Sequence, residues 1–122
     1  MDVFGRLEEL ERIPIWGGAE ARAVVGDQIT FAVIDLEPNS QVPEHHHVNE
    51  QVGMVLRGEI TLTVAGEART LGPGGTYVLR GDVAHSALTG PEGCSVIDTF
   101  SPVRRDWDAF PRQDPRPGAW PG

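Results

Sequence analysis

The four histidines of this 122-residue chain occupy two places: His45, His46 and His47 stand together, and His85 lies forty residues downstream. On an extended strand, side chains two apart share a face, so His45 and His47 can aim at one point while His46 points away. Two imidazoles fixed on one face make half of a metal site. Gln51, four residues past His47, carries an amide oxygen that can be a third donor, and His85 can supply a fourth from another strand. A histidine run can also be a solvated patch or a tag. Tags sit at termini, however, and this run lies between two strand-like segments. Mixed nitrogen and oxygen donors with open positions suit one divalent transition ion, and Mn, Fe, Co, Ni, Cu and Zn all qualify.

Composition narrows the remaining chemistry. Ten basic residues against 18 acidic ones give a formal net charge of −8, which disfavours nucleic acid as a partner because phosphate binding needs a basic patch. All ten basic residues are Arg, so Schiff-base chemistry on a lysine is excluded. Cys94 is the single cysteine and cannot form an internal disulfide; a free, buried thiol is its expected state, and with no neighbouring His in sequence it is not expected to be a nucleophile. No apolar run approaches the roughly 18 to 20 residues of a membrane span, and the opening MDVFGRLEELER is too charged for a signal peptide. The expected setting is the cytoplasm, away from membranes.

The elements that must position the histidines are read from hydrophobic spacing. Phe4, Leu7 and Leu10 stand at spacing three and suit a short helix or turn, which Pro14, Gly17 and Gly18 end. Residues 1–21 are expected to form an N-terminal arm, with Trp16 anchoring it to the body or to a second subunit. From Arg22 the chain becomes ARAVV, a Gly26-Asp27 turn, and QITFAVIDL, dense in β-branched and aromatic residues. Glu37-Pro38-Asn39-Ser40 reads as a turn, and Pro43 suits a strand entrance. QVGMVLRG, EITLTVAGE, ARTLGPGG, TYVLR, His85 to Thr89 and CSVIDTF follow as short strand-like pieces closed by turn residues. Such a series, without a long helical pattern, indicates an all-β sandwich or barrel over residues 22–104. Residues 105–122 are proline-rich and are expected to be a mobile tail. Tyr77 and Met54 fall within strands, where packing explains them.

On these motifs the chain resembles the small single-domain cupins. The family's first motif, a His-x-His pair followed by a Glu and then a Gly, reads here as His45, His47, Gln51 and Gly58, and the six-residue gap to Gly58 selects Gln51 over Glu50. The second begins at Gly74 and ends at His85. Asn39, Arg80, Asp82 and Thr89 depart from the family's usual Gly, Pro, Gly and Asn. The resemblance implies a jelly-roll barrel, a metal on His45, His47, Gln51 and His85, and a homodimer. An isolated small barrel also leaves open strand edges that a partner can cover. Gln51 in place of the usual Glu leaves a divalent ion its full charge, making it a stronger Lewis acid.

VPEHHHVNEQVGMVLRGEITLTV together with VIDTFSPVRRDW is similar, more narrowly, to pectin-degradation cupins that help turn unsaturated galacturonate into its linear keto form. That resemblance implies roles for Asp98 and Arg104 in catalysis and for Phe100 in substrate binding. The residues agree in kind. Val96, Asp98 and Phe100 share one face of a strand, and a carboxylate among apolar neighbours needs a partner or a task. Asp98 can move a proton, Arg104 can grip a substrate carboxylate with its two-pronged guanidinium, and Phe100 can form an apolar wall. An Asp98–Arg104 ion pair closing the barrel mouth is the structural alternative. Arg57, beside the Gly58 turn, and Arg22 can meet an anion or simply be solvated. The expected activity is a metal-dependent lyase or isomerase on a small, carboxylate-bearing sugar or keto acid. An iron-dependent dioxygenase and a non-catalytic sugar-binding or sensing module are the competing readings.

Overall fold

Side chains branched at Cβ fill a pleated, half-buried surface well, and the computed structural model, which describes residues 3–122, is built chiefly of strands of that kind. The strands are β1 (Ile13–Trp16), β2 (Ala19–Val25), β3 (Thr30–Leu36), β4 (Gln41–His45), β5 (Glu50–Val64), β6 (Glu67–Leu71), β7 (Thr76–Leu79) and β8 (His85–Ser101). Two short 3-10 turns, Leu7–Glu9 and Arg105–Ala109, are the helical elements among the described residues.

β5 and β8 organise the rest. They pair antiparallel over their whole lengths, from Glu50↔Ser101 to Val64↔His85, with register shifts between Val55 and Arg57 and between Gly58 and Ile60. Gly58 takes φ 77°, a conformation that L side chains rarely adopt, and a Cβ there would collide with the Gly93 carbonyl. The bulge keeps the ladder continuous while both strands bend. QVGMVLRG and EITLTVAGE, which read as separate segments, are therefore one strand. Bent in this way, the two strands serve two layers: β1-β2-β3-β8-β5-β7 on one side and β4-β8-β5-β6 on the other. Ala21, Ala32, Ile34, Leu36, Val55, Ile60, Leu62, Val96 and Phe100 fill the space between as a barrel core.

Both termini differ from expectation. The arm ends at Arg12, because Ile13 already pairs with Ala21, and Pro14 is tolerated since β1 is an edge strand. The tail is held rather than loose: Arg12 and Gln113 exchange backbone hydrogen bonds of 3.0 and 2.9 Å. Trp107 is buried and meets Phe100 edge-on at 5.2 Å. Arg22 is buried, not solvated; its Nη2 donates to the Trp120 carbonyl at 2.9 Å and lies 3.4 Å from Asp35, which also accepts from the Ala119 N–H at 3.1 Å. Main-chain groups do this tethering, so a composition rich in proline and poor in apolar residues did not reveal it.

Candidate metal centre

Strand pairing brings the first two ligands together. His45 closes β4 and lies in register with His85, the first residue of β8. His47 lies beyond the end of β4, so strand alternation does not carry it to the shared face; the turn after the strand returns its ring to the same point. The ring centroids are 4.3 Å apart for His45–His85, 5.0 Å for His47–His85 and 5.7 Å for His45–His47. One donor atom from each of the three lies within 4.8 Å of the others. His46, also beyond the end of β4, sits exposed with Nδ1 3.7 Å from Asp82.

The hydrogen bonds of the three rings fix which nitrogen is free. Nδ1 of His45 lies 2.9 Å from the Pro43 carbonyl, Nδ1 of His47 lies 3.0 Å from that of Asn49, and Nδ1 of His85 lies 2.9 Å from that of Val83. A carbonyl oxygen only accepts, so each Nδ1 carries the proton and each Nε2 presents a lone pair. Burial, and then the positive charge of Arg104, lower the His47 pKa to about 4; burial lowers that of His85 too. His47 and His85 are therefore neutral at neutral pH, the state a metal requires. Gln51 completes the test. Its Oε1 stands 3.1 Å from Nε2 of His47, and with the proton on Nδ1 two lone pairs face each other. A cation between them removes that conflict, so the donor set fits a divalent ion.

Beyond Gln51 the carboxyl of Asp98 is the next polar group. It is buried, and the pull of burial raises its pKa to about 6 against hydrogen bonds from Tyr77 and Gln51 and the charge of Arg104. The Tyr77 hydroxyl donates to Oδ1 at 2.5 Å. Tyr77 on β7 and Asp98 on β8 both pair with Gly53 of β5, which lies between them. A Cβ at Gly53 would collide with both side chains; the glycine is the gap through which they meet.

These groups open on a cavity of about 80 Å³, room for about half a dozen waters. His45, His85, Gln51, Asp98, Tyr77, Phe100 and Arg104 line it, with Trp16 and Trp107 among its walls. Trp16 lies against the His45 ring, centroids 4.9 Å apart. The Arg104 guanidinium lies over both Phe100 and Trp107, 4.8 Å from each ring centroid, and its Nε and Nη2 donate to Asp106 at 3.0 and 2.8 Å. The end-on fork of Nη1 and Nη2 stays open.

Six of the sequence-derived site residues thus surround one cavity, with His47 completing the cluster at its edge. Arg57 does not join them: it binds Ser95 Oγ at 3.1 Å and the Glu92 carbonyl at 2.9 Å, on the outer side of the sheet. Nor does Asp98 pair with Arg104, since each has another partner. Tyr77, Trp107 and Asp106 escaped sequence reasoning. Register alone could have signalled Tyr77, because it meets Asp98 only across an intervening strand. Cys94 is buried with its thiol pushed up to about 11 by burial, consistent with an inert side chain.

Comparison with known proteins agrees with this geometry. The profile of the family described as "Cupin domain" matches residues 32–100. The chain is 34% identical over 65 residues to the pectin degradation protein KdgF of Dickeya dadantii (strain 3937), an alignment covering 53% of this chain and 59% of that protein. The chain thus spans about three-fifths of the length of the curated relative it matches. Among solved structures, an RmlC-like cupin from Shewanella frigidimarina NCIMB 400 superposes with a TM-score of 0.80 at 29% identity, covering 88% of this chain and 96% of that one. KdgF from Halomonas sp. superposes with a TM-score of 0.79 at 24% identity, covering 87% and 98%, a likeness of fold.

Proposed function

The chain belongs to the cupin domain family, and from that premise we propose that it is a metal-dependent enzyme of the lyase or isomerase type acting on a small acidic sugar or keto acid, such as an unsaturated uronate. The observation that carries the reading is the convergence of three Nε2 lone pairs and the Gln51 oxygen on a cavity that also holds Asp98 and Arg104. A divalent transition ion held by His45, His47, His85 and Gln51 would supply Lewis-acid polarisation of a substrate carbonyl or hydroxyl.

The protein's own residues divide the remaining work. Tyr77 donates to Oδ1 of Asp98, Gln51 also hydrogen-bonds the carboxyl, and the residue lines the cavity a ligand would enter. With a pKa raised to about 6, Asp98 can both accept and return a proton near neutral pH. That suffices for an isomerisation in which one proton leaves a hydroxyl, another arrives at carbon, and no atom is gained or lost. Arg104, pinned on one edge by Asp106, offers a single fork suited to one carboxylate. Phe100 and Trp107 shield that fork from water. The likeness to the pectin degradation protein favours an unsaturated uronate within this class.

The test is turnover of unsaturated uronates by metal-loaded protein. Asp98→Asn and Arg104→Ala are expected to lose at least about a hundredfold in kcat/KM, near 3 kcal/mol, while keeping the metal. If both variants act at the parent rate, the assignment fails.

A further inference from the structure

The strands themselves do not aim Arg104. β8 ends at Ser101 and the second 3-10 turn begins at Arg105, so residues 102–104 lie outside every strand. Two buried side chains take the place of a ladder there. Asn49, 4% exposed and one residue ahead of β5, donates through Nδ2 to the carbonyls of Pro102 and Val103, the latter at 3.4 Å. Thr30, 1% exposed and the first residue of β3, accepts the Arg104 N–H on Oγ1 at 3.0 Å. Both stand beside the strand pairs that lead into the segment, since Thr30 is in register with Phe100 and Glu50 with Ser101. With so little exposure, water does not stand in for either side chain. Asn49 reaches the metal side as well: its own carbonyl accepts the His47 Nδ1–H at 3.0 Å.

We propose that Asn49 and Thr30 are positioning residues for Arg104, and that Asn49 joins the carboxylate grip to the histidine cluster as one frame. The inference rests on the reading of Arg104 as the residue that holds a substrate carboxylate. A guanidinium grips a carboxylate well only when two N–H groups meet two oxygens together, so a small swing of its stem costs affinity. A working site tolerates roughly 0.5 Å of such drift. Asp106 and the rings of Phe100 and Trp107 steady the far end of the Arg104 side chain. Asp106 and Trp107 belong to the same short turn, however, and would move with Arg104 if that turn shifted. Asn49 and Thr30 tie the entrance of the turn to β5 and β3. Through Asn49 both ends of a bound ligand are referred to one residue: its main chain orients His47, and its side chain holds the segment that carries Arg104.

Calorimetric titration of the metal-loaded full chain with D-galacturonate, a saturated uronate with no double bond to rearrange, reads the grip apart from turnover. Arg104→Ala is expected to weaken binding about tenfold or more. Thr30→Val, which keeps the shape and removes the acceptor, and Asn49→Ala are each expected to weaken it about fivefold or more while retaining the parent's metal content. Thr30→Ser keeps the acceptor and is expected to bind as the parent does. The double variants separate positioning from a general loosening of the fold. In the Arg104→Ala background neither substitution is expected to weaken binding further, because both act through Arg104. Should Asn49→Ala fail to fold, the two Thr30 variants and the Thr30→Val, Arg104→Ala double variant decide. Parent-like binding by Thr30→Val or Asn49→Ala, or a cost that repeats in full in the Arg104→Ala background, overturns the proposal and leaves the role of Arg104 standing. A parent that does not bind galacturonate, or an Arg104→Ala variant that binds it as tightly as the parent, would overturn the carboxylate grip itself and this proposal with it.

Discussion

Asp98 is where chemistry and stability pull in opposite directions. Its carboxyl would ionise near the ordinary 3.8 when unfolded, whereas burial moves it to about 6 in the fold. Below the lower value both states are protonated and nothing is lost. As pH rises through the window the unfolded chain sheds its proton first, and above about 6 the fold carries a buried charge worth on the order of 3 kcal/mol of lost stability. Asp98→Asn is therefore expected to raise the melting temperature of metal-free protein at pH 8 and to leave it unchanged at pH 3.5, as calorimetry would show. An equal effect at both pH values would mean that the buried charge carries no penalty. His47 slopes the other way: its folded value of about 4 lies below the ordinary 6.5, so protonation opposes folding as pH falls between them. The two tendencies offset each other between pH 4 and 6, which is why single substitutions are needed to see either. Tyr77→Phe removes the hydroxyl that occupies Oδ1. It is expected to lower kcat about tenfold or more with KM and metal content nearly unchanged, because it acts on the proton-handling group and not on ligand capture.

Among the elements, β5 shows what a sequence reveals and where it stops. The histidine pair, Gln51 and His85 were legible because the chain keeps imidazoles nowhere else, so their types and spacing left one grouping. Strand content was legible from β-branched runs and glycine punctuation. The continuity of β5 was not, since Gly58 reads as a terminator until its bulge is seen paired to Cys94. Tyr77 was hidden for the same reason: its relation to Asp98 exists only in the register of three strands around Gly53. Gly53→Ala tests that relation. The added methyl would strike the Tyr77 ring and the Asp98 carboxyl, and a loss of about 1–3 kcal/mol in denaturant unfolding is expected. Gly17→Ala, where no atom lies within 4 Å of the new methyl, is expected to change little. The tail escaped for a different reason, since Trp120 and Ala119 hold Arg22 and Asp35 through backbone groups that every residue possesses.

For the whole molecule, net charge and metal act together. A protein of charge −8 must draw an acidic ligand inward against its own field. Burial keeps His47 and His85 neutral and Arg104 is already paired with Asp106, so the ion is the chief positive charge the cavity would offer. Chelation is therefore expected to abolish binding of a uronate in calorimetry, and also to lower the melting temperature, because a ligand of the native state stabilises it by mass action.

The most direct test of the central claim is the number of divalent transition ions retained per chain after dialysis, measured by elemental mass spectrometry on untagged protein and on the His45→Ala, His47→Ala, His85→Ala triple variant. One ion per parent chain and none in the folded variant is the result expected. A parent that retains none when loaded with any of the six candidate metals, or a variant that retains as much as the parent, would contradict the account.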